Sequence, residues 1–313
     1  SGHSAGQDVT GSFNTASGLY AGDLVTGSAN TATGAYAGIS VTGDANTASG
    51  NFVGDNVTGS GNVAIGSWAG RVIGSIGDEV DNTVAIGSDG DGDNFGARAT
   101  ATDGIAIGTD ALSTGTSAVV VGANANASAD DALALGSAAN ASGLNSTASG
   151  HFSTAEGLSS SAYGDSASAC GDYGSAFGAY SSVCADYGTA VGSYSTASGL
   201  SSTALGDSSA AEGDYSLAAG YNSTASGLNS TAVGQSSTAS GQNSVAVGTG
   251  SVASLNATSA FGHNSVASDS FATALGDKST ASSHGATATG ASSTASGDAS
   301  AAYGLKSNAS NSY

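Results

Sequence analysis

From Gly136 to Gly304 the chain keeps one seven-residue register without an insertion or deletion, and this register limits the fold more than any other feature. Of the 25 positions reached in steps of seven, 21 are Gly, the exceptions being Ala185, Leu255, Asp269 and Ser283. Two residues before each step stands Ala in 24 of the 25 cases, with Val183 the only departure. The residue immediately before each step alternates between two classes, which makes the true period fourteen. One class is mostly large and apolar, including Leu135, Phe177, Val191, Leu205, Val233, Val247, Phe261 and Leu275. The other is small or polar, as in Ser142, Glu156, Cys170, Cys184, Ser198 and Glu212. A fixed period of this kind marks a stack of repeated coils.

Residue type says what each coil is. A half-coil reads roughly Ser-Thr-Ala-x-Gly followed by two variable residues, as in Ser202-Thr203-Ala204-Leu205-Gly206. A helix is excluded, because each interior glycine would cost about 1 kcal/mol against Ala. Strand plus tight turn remains. Side chains alternate across a strand, so the Ala and the residue two before it share a face. That second position is small throughout, as in Ser146, Ser153, Ala167, Gly174 and Ser195, which places this face inside a very thin roll. Glu156 and Glu212 lie on the opposite face and point outward, since an Ala-lined interior could not hold a charge.

The large apolar residues then form an outward ladder. At an inter-strand spacing of about 4.8 Å the ladder runs for roughly 60 Å, and soluble monomers rarely expose so continuous an apolar patch. An interior of Ala and Ser also buries little apolar area against chain entropy. The ladder therefore needs a partner, and Leu135, Phe177, Val191, Leu205, Val233, Val247, Phe261 and Leu275 are expected at an interchain interface.

Three regions follow from the spacing. Residues 1–70 use a ruler of sixteen, with Asn14, Asn30, Asn46 and Asn62 opening units that carry Tyr20, Tyr36, Phe52 and Trp68 and then Val-Thr-Gly triplets. That aromatic ladder reads either as a stacking platform for sugars or as oligomer or roll core. Residues 71–135 are transitional, with the most apolar strands of the chain and an insertion loop over 88–103. Residues 136–313 hold the fourteen-residue coils. The loop contains Asp89-Gly90-Asp91-Gly92-Asp93-Asn94. Carboxylates alternating with Gly can wrap a hard cation, so Asp89, Asp91 and Asp93 are candidate calcium ligands, with Asp78, Glu79 and Asp81 as helpers. No glutamate closes the site, and a solvated acidic loop is the other reading.

Cys170 and Cys184 stand one coil apart at the same position. Stacked strands place their Cα atoms about 4.8 Å apart, within the disulfide window. In-register parallel strands hold Cβ atoms farther apart than a relaxed bridge prefers, so the bonded and free states both stay open.

Composition excludes several function classes. Four basic residues against 24 acidic ones give a net charge of -20, which argues against a nucleic-acid partner, because phosphate binding needs basic stripes. No apolar run approaches membrane-spanning length, so no membrane contact is expected in this segment. The sequence starts in mid-repeat without Met, as expected of a processed or excised segment. His3, His151, His263 and His284 are scattered, and no Ser has His and Asp at motif spacing. Glu156 and Glu212 are four coils apart, about 19 Å at the strand spacing, too far for glycosidase geometry. The expectation is a non-enzyme without cofactor, calcium apart.

The strands Thr83-Val84-Ala85-Ile86-Gly87, Asn62-Val63-Ala64-Ile65-Gly66, Asn243-Ser244-Val245-Ala246-Val247-Gly248 and Asn229-Ser230-Thr231-Ala232-Val233-Gly234 carry a family resemblance. The chain resembles the head domains of trimeric autotransporter adhesins of the YadA-like kind. The resemblance implies a left-handed parallel β-roll, a homotrimer packed around the apolar ladder, and a role in attachment to extracellular matrix or cell-surface ligands. It also implies a secreted, bacterial cell-surface location. The sixteen-residue units are similar to those of phage tail fibres as well, so a virion fibre segment is the alternative. Thr-x-Ser rungs such as Thr224-Ala225-Ser226 and Thr238-Ala239-Ser240 suggest a third reading, an ice- or mineral-binding face, which Glu156, Glu212, Cys170 and Cys184 interrupt.

Overall fold

The computed structural model describes residues 1–71, 73–74 and 79–311. Among the described residues it is a parallel β-solenoid with no helix, so none is long and apolar enough to cross a membrane. Two compact units divide the chain, Ser1–Ser160 and Ser161–Tyr313. The change from sixteen- to fourteen-residue coils falls inside the first unit.

In the second unit each coil contributes one three-residue and one two-residue strand, eleven of each. Strands pair with their equivalents one coil on, parallel and in register. Thr203, Ala204 and Leu205 pair with Leu217, Ala218 and Ala219, and Thr224 and Ala225 pair with Thr238 and Ala239. A zero register offset turns every repeat position into a ladder of like residues. The inward ladders are Ala204, Ala218 and Ala232 on one strand and Ala211, Ala225 and Ala239 on the other, all fully buried. The walls meet through methyl groups, which explains why nothing larger recurs there.

The two glycine positions of the coil are different in kind. Gly206 has φ +130°, and a Cβ there would lie 2.7 Å from the carbonyl oxygen of Gly220 in the next coil. Both facts demand glycine. Gly199, Gly213 and Gly227 have no left-handed φ. The four departures from the glycine ruler, Ala185, Leu255, Asp269 and Ser283, all fall on that second position. Each turn then places the second residue after the glycine in the left-handed region, as at Ser201 (φ 52°), Tyr215 (φ 58°) and Asn229 (φ 55°).

Two inward serine ladders differ in hydrogen bonding. Ser195, Ser209, Ser223 and Ser237 each donate their hydroxyl to the glycine carbonyl three residues earlier, at 2.7 to 2.9 Å. Ser202, Ser216, Ser230 and Ser244 hold buried hydroxyls without a partner. An intramolecular hydrogen bond contributes about 1 kcal/mol net, while a buried unpaired hydroxyl is a liability. Ser237→Ala is therefore expected to lower stability by about 1 kcal/mol, and Ser230→Ala to leave it unchanged or raise it. Equal losses in denaturant melts of the two variants would contradict this assignment.

In the first unit the sixteen-residue coils have three inner rows. Strands Thr15–Ser17, Thr31–Thr33, Thr47–Ser49 and Val63–Ile65 stack in register and supply Ala32, Ala48 and Ala64. Ala21, Ala37, Val53 and Ala69 pack against them. The valine of each Val-Thr-Gly triplet turns inward too, so that Val25, Val41, Val57 and Ile73 form a second apolar column. Asparagine fills the remaining corner. Asn30 and Asn46 each donate their Nδ2 to a glycine carbonyl at 2.9 Å, and the Oδ1 of each accepts from the amide of the next Asn in the ladder. Thr83 ends the ladder, donating its amide and hydroxyl to Asn62 Oδ1. These rows surround a cavity of about 170 Å³ lined by Ala, Gly, Val and the asparagines. Val84–Ile86, Ile105–Ile107, Val119–Val121, Leu133–Leu135 and Thr147–Ser149 continue the stack in this unit.

Candidate binding surfaces

The apolar ladder points outward. Phe177, Val191, Leu205, Phe261 and Leu275 are 37 to 48% exposed, while Leu135, Val233 and Val247 are half-buried. Within the second unit these side chains form a row of solvent-facing rungs above the buried alanines. Glu156 and Glu212 are exposed on the polar strand, as their charge requires.

In the sixteen-residue coils the aromatic ladder lies outside the interior. Tyr20, Tyr36, Phe52 and Trp68 occupy turn positions and are half-buried by each other. Successive rings stack at 5.4, 4.6 and 4.4 Å. Arg71 closes the column, its guanidinium 4.8 Å from the Trp68 ring and 5.5 Å from Phe95. Arg98 covers Phe95 at 4.8 Å, and Arg71 donates to the carbonyl of Asn94 at 2.9 Å. Arg71 thus ties the insertion loop to the end of the ring column, while Arg98 packs on the loop's own Phe95.

Asp55 sits 3.8 Å from Arg71. Burial pushes its carboxyl above the ordinary range, and the Arg71 charge and the Asn56 amide only partly oppose this. A raised folded-state pKa favours the protonated form on folding. Its contribution is full below the unfolded value, about 3.9, and is lost as pH rises through the folded one. Asp55→Asn is expected to be at least as stable as the parent at pH 7 and to show a smaller gain on acidification. A lower melting temperature for the variant at pH 7 would show that the Arg71 pair outweighs the burial.

The insertion loop is held by its own carboxylates. Asp89 accepts from the amides of Gly92 at 2.6 Å and Asn94 at 2.9 Å. Asp91 accepts from Asp93, and Asp93 from Phe95. Asp110, one coil on, accepts from Gly90 at 3.0 Å. Asp89, Asp91 and Asp110 bring carboxylate oxygens within 4.8 Å of one another; these are the donors that could face one cation, with Asp110 rather than Asp93 as the third. Asp81 is engaged with the Ser60 amide, Glu79 is exposed, and Asp78 lies outside the described residues. Sequence spacing could not identify Asp110, because its approach depends on how the loop folds back against the following coil.

The sulfurs of Cys170 and Cys184 are joined across one rung, with Cα atoms 4.6 Å apart. The histidines are engaged separately. His3 meets the edge of Tyr20, His151 that of Phe152 and His284 that of Phe271, while His263 Nδ1 lies 2.8 Å from Asp277. None of these pairs is a nucleophile with its base.

Five segments match the model of the YadA head domain repeat: residues 113–139, 141–167, 197–223, 225–251 and 256–279, together less than half of the chain. These five segments are similar to YadA head repeats. The first four segments start in one phase of the fourteen-residue period and span 27 residues each, close to two coils, while the fifth spans 24 and starts out of that phase. Among solved structures, the crystal structure of the collagen-binding domain of the Yersinia adhesin YadA is similar at 26% identity. That match covers 56% of this chain and 68% of the other, with a TM-score of 0.23. Comparison with curated protein sequences gave no match. The surfaces such coils leave open are the outward ladders, the turns and the insertion loop.

Proposed function

We propose that the chain is a non-catalytic segment of an extracellular adhesive fibre, homotrimeric through its apolar ladder, attaching a bacterial surface to matrix or to cell-surface ligands. The observation that carries this reading is the outward ladder of Phe177, Val191, Leu205, Phe261 and Leu275 within repeats of the YadA head type. Exposed apolar rungs repeated along the roll are unfavourable for a monomer and suit a self-complementary surface. The related Yersinia domain is a collagen-binding one, which makes collagen the first ligand to try. Variable turn residues on a rigid roll are where the contacts would lie.

A second reading, an ice- or mineral-binding face, rests on the outward Thr224, Ser226, Thr238 and Ser240 and on Thr280, Ser282, Thr294 and Ser296, two uncharged pairs of rungs separated by Val252 and Val266. Attachment to immobilised collagen, fibronectin and whole cells, measured beside thermal hysteresis, separates the two. The adhesive reading predicts saturable attachment without hysteresis; hysteresis without attachment would replace it.

A further inference from the structure

On one turn edge of the second unit the residues in the left-handed position run Tyr173, Tyr187, Ser201, Tyr215, Asn229. Tyr173 and Tyr187 stack at 5.1 Å with ring planes 6° apart, so the rings stand across the stacking direction and the second face of Tyr187 looks towards Ser201. Tyr215 has the same backbone conformation as Tyr187, φ 58° against 59°, and almost the same exposure, 57% against 59%. A serine between two tyrosines leaves one rung out of the column. Two rungs are about 10 Å at strand spacing, so a gap the height of one missing ring opens over Ser201.

We propose that this gap is a binding slot for an alkylammonium group, the charged head of a lysine side chain or of its methylated forms on a partner protein. The midpoint lies about 5 Å from each ring face, inside the cation–π reach of about 6 Å for both tyrosines at once. A flat ring also fits this height, as the Tyr173–Tyr187 stack at 5.1 Å shows, so the choice between a ring and an ammonium rests on charge. Charge favours the ammonium. The residues preceding the two tyrosines are Asp186 and Asp214, both exposed. Each gives one carboxylate oxygen to the backbone amide of the preceding coil, Asp172 N at 3.0 Å and Leu200 N at 2.9 Å. The second bond fixes the Asp214 carboxylate between the coils of Leu200 and Tyr215, beside the slot, whereas the first holds that of Asp186 on the Tyr173 side of Tyr187. With a net charge of -20 the chain as a whole draws cations. The slot goes beyond the adhesive reading and is tested without reference to it.

The test is NMR titration of the full chain, carrying labelled tyrosine rings, with N-acetyl-trimethyllysine methyl ester, N-acetyl-lysine methylamide and, as the glycan arm, cellotetraose. Saturable shifts of Tyr187 and Tyr215 with the ammonium probes, weakened by salt, are expected. Ser201→Tyr fills the gap at a backbone position that already accepts tyrosine in the neighbouring coils, and Tyr215→Ser places there the residue found at 201. Both should keep the parent circular dichroism and lower affinity at least tenfold. Tyr221→Ala, on the opposite turn, should bind as the parent does. Absence of saturable shifts, undiminished binding by Ser201→Tyr, or binding of cellotetraose alone would overturn the proposal.

Discussion

Ala232→Leu is expected to prevent the second unit from closing, with a loss of more than about 3 kcal/mol, at the upper end of overpacking penalties. Ala232 is fully buried and lies between Ala218 and Ala246 in register. No neighbour can withdraw, since the facing surfaces are backbone and methyl groups. Val183 shows what accommodation of a larger residue requires. It is the one inward residue larger than Ala at its position between residues 136 and 313, and the residues facing it are Gly174 and Gly188 where the other coils have serine, threonine or alanine. A Cβ at Gly174 would lie 3.0 Å from Val183 Cγ1, and one at Gly188 would lie 2.6 Å from it. Ser113 is matched in the same way by Gly104, whose added Cβ would stand 3.2 Å from the serine oxygen. Gly188→Ser should accordingly destabilise, and Val183→Ala in the same chain should restore most of the loss. Additive effects in that cycle would show that the two residues do not share the space.

Replacing Leu205 and Val233 together by Asp is expected to leave a chain that no longer associates and is insoluble or unfolded. The substitution puts two carboxylates into a surface that the trimer would bury, and an uncompensated buried charge costs about 3 to 5 kcal/mol. The roll offers little in compensation, because its interior is alanine and serine. Ser226→Asp is the matching control on the polar strand, at the position where the exposed Glu212 of the neighbouring coil already shows that charge is tolerated. Loss of solubility in the control as well would move the cause from the interface to the strand itself.

The coil was legible because its constraints are local and repeat. Glycine at the Gly206 type of position, alanine inward and large residues outward each follow from one backbone geometry, so a single strand predicts all its equivalents. The departures were visible but not interpretable from sequence. Val183 and its glycines fall 9 and 5 residues apart, and only the fold shows that they share one wall. The sixteen-residue coils were less transparent for the same reason. Their Val-Thr-Gly triplets recur visibly, but only the fold shows that the valines form an inner column beside an asparagine ladder whose bonds run between coils. The aromatic ladder is spaced regularly enough to be predicted as a stack, but its place outside the roll depends on the left-handed turns that carry it. In the insertion loop the alternation of Asp and Gly pointed to carboxylates facing inward, while the pairing of Asp89 and Asp91 with Asp110 needed the loop's path.

The central claim is that the outward ladder is a surface between chains. Light scattering on the size-purified protein tests it most directly: the account predicts a particle of about 87 kDa, three times the 29.1 kDa chain, and a stable, soluble 29.1 kDa monomer would contradict it.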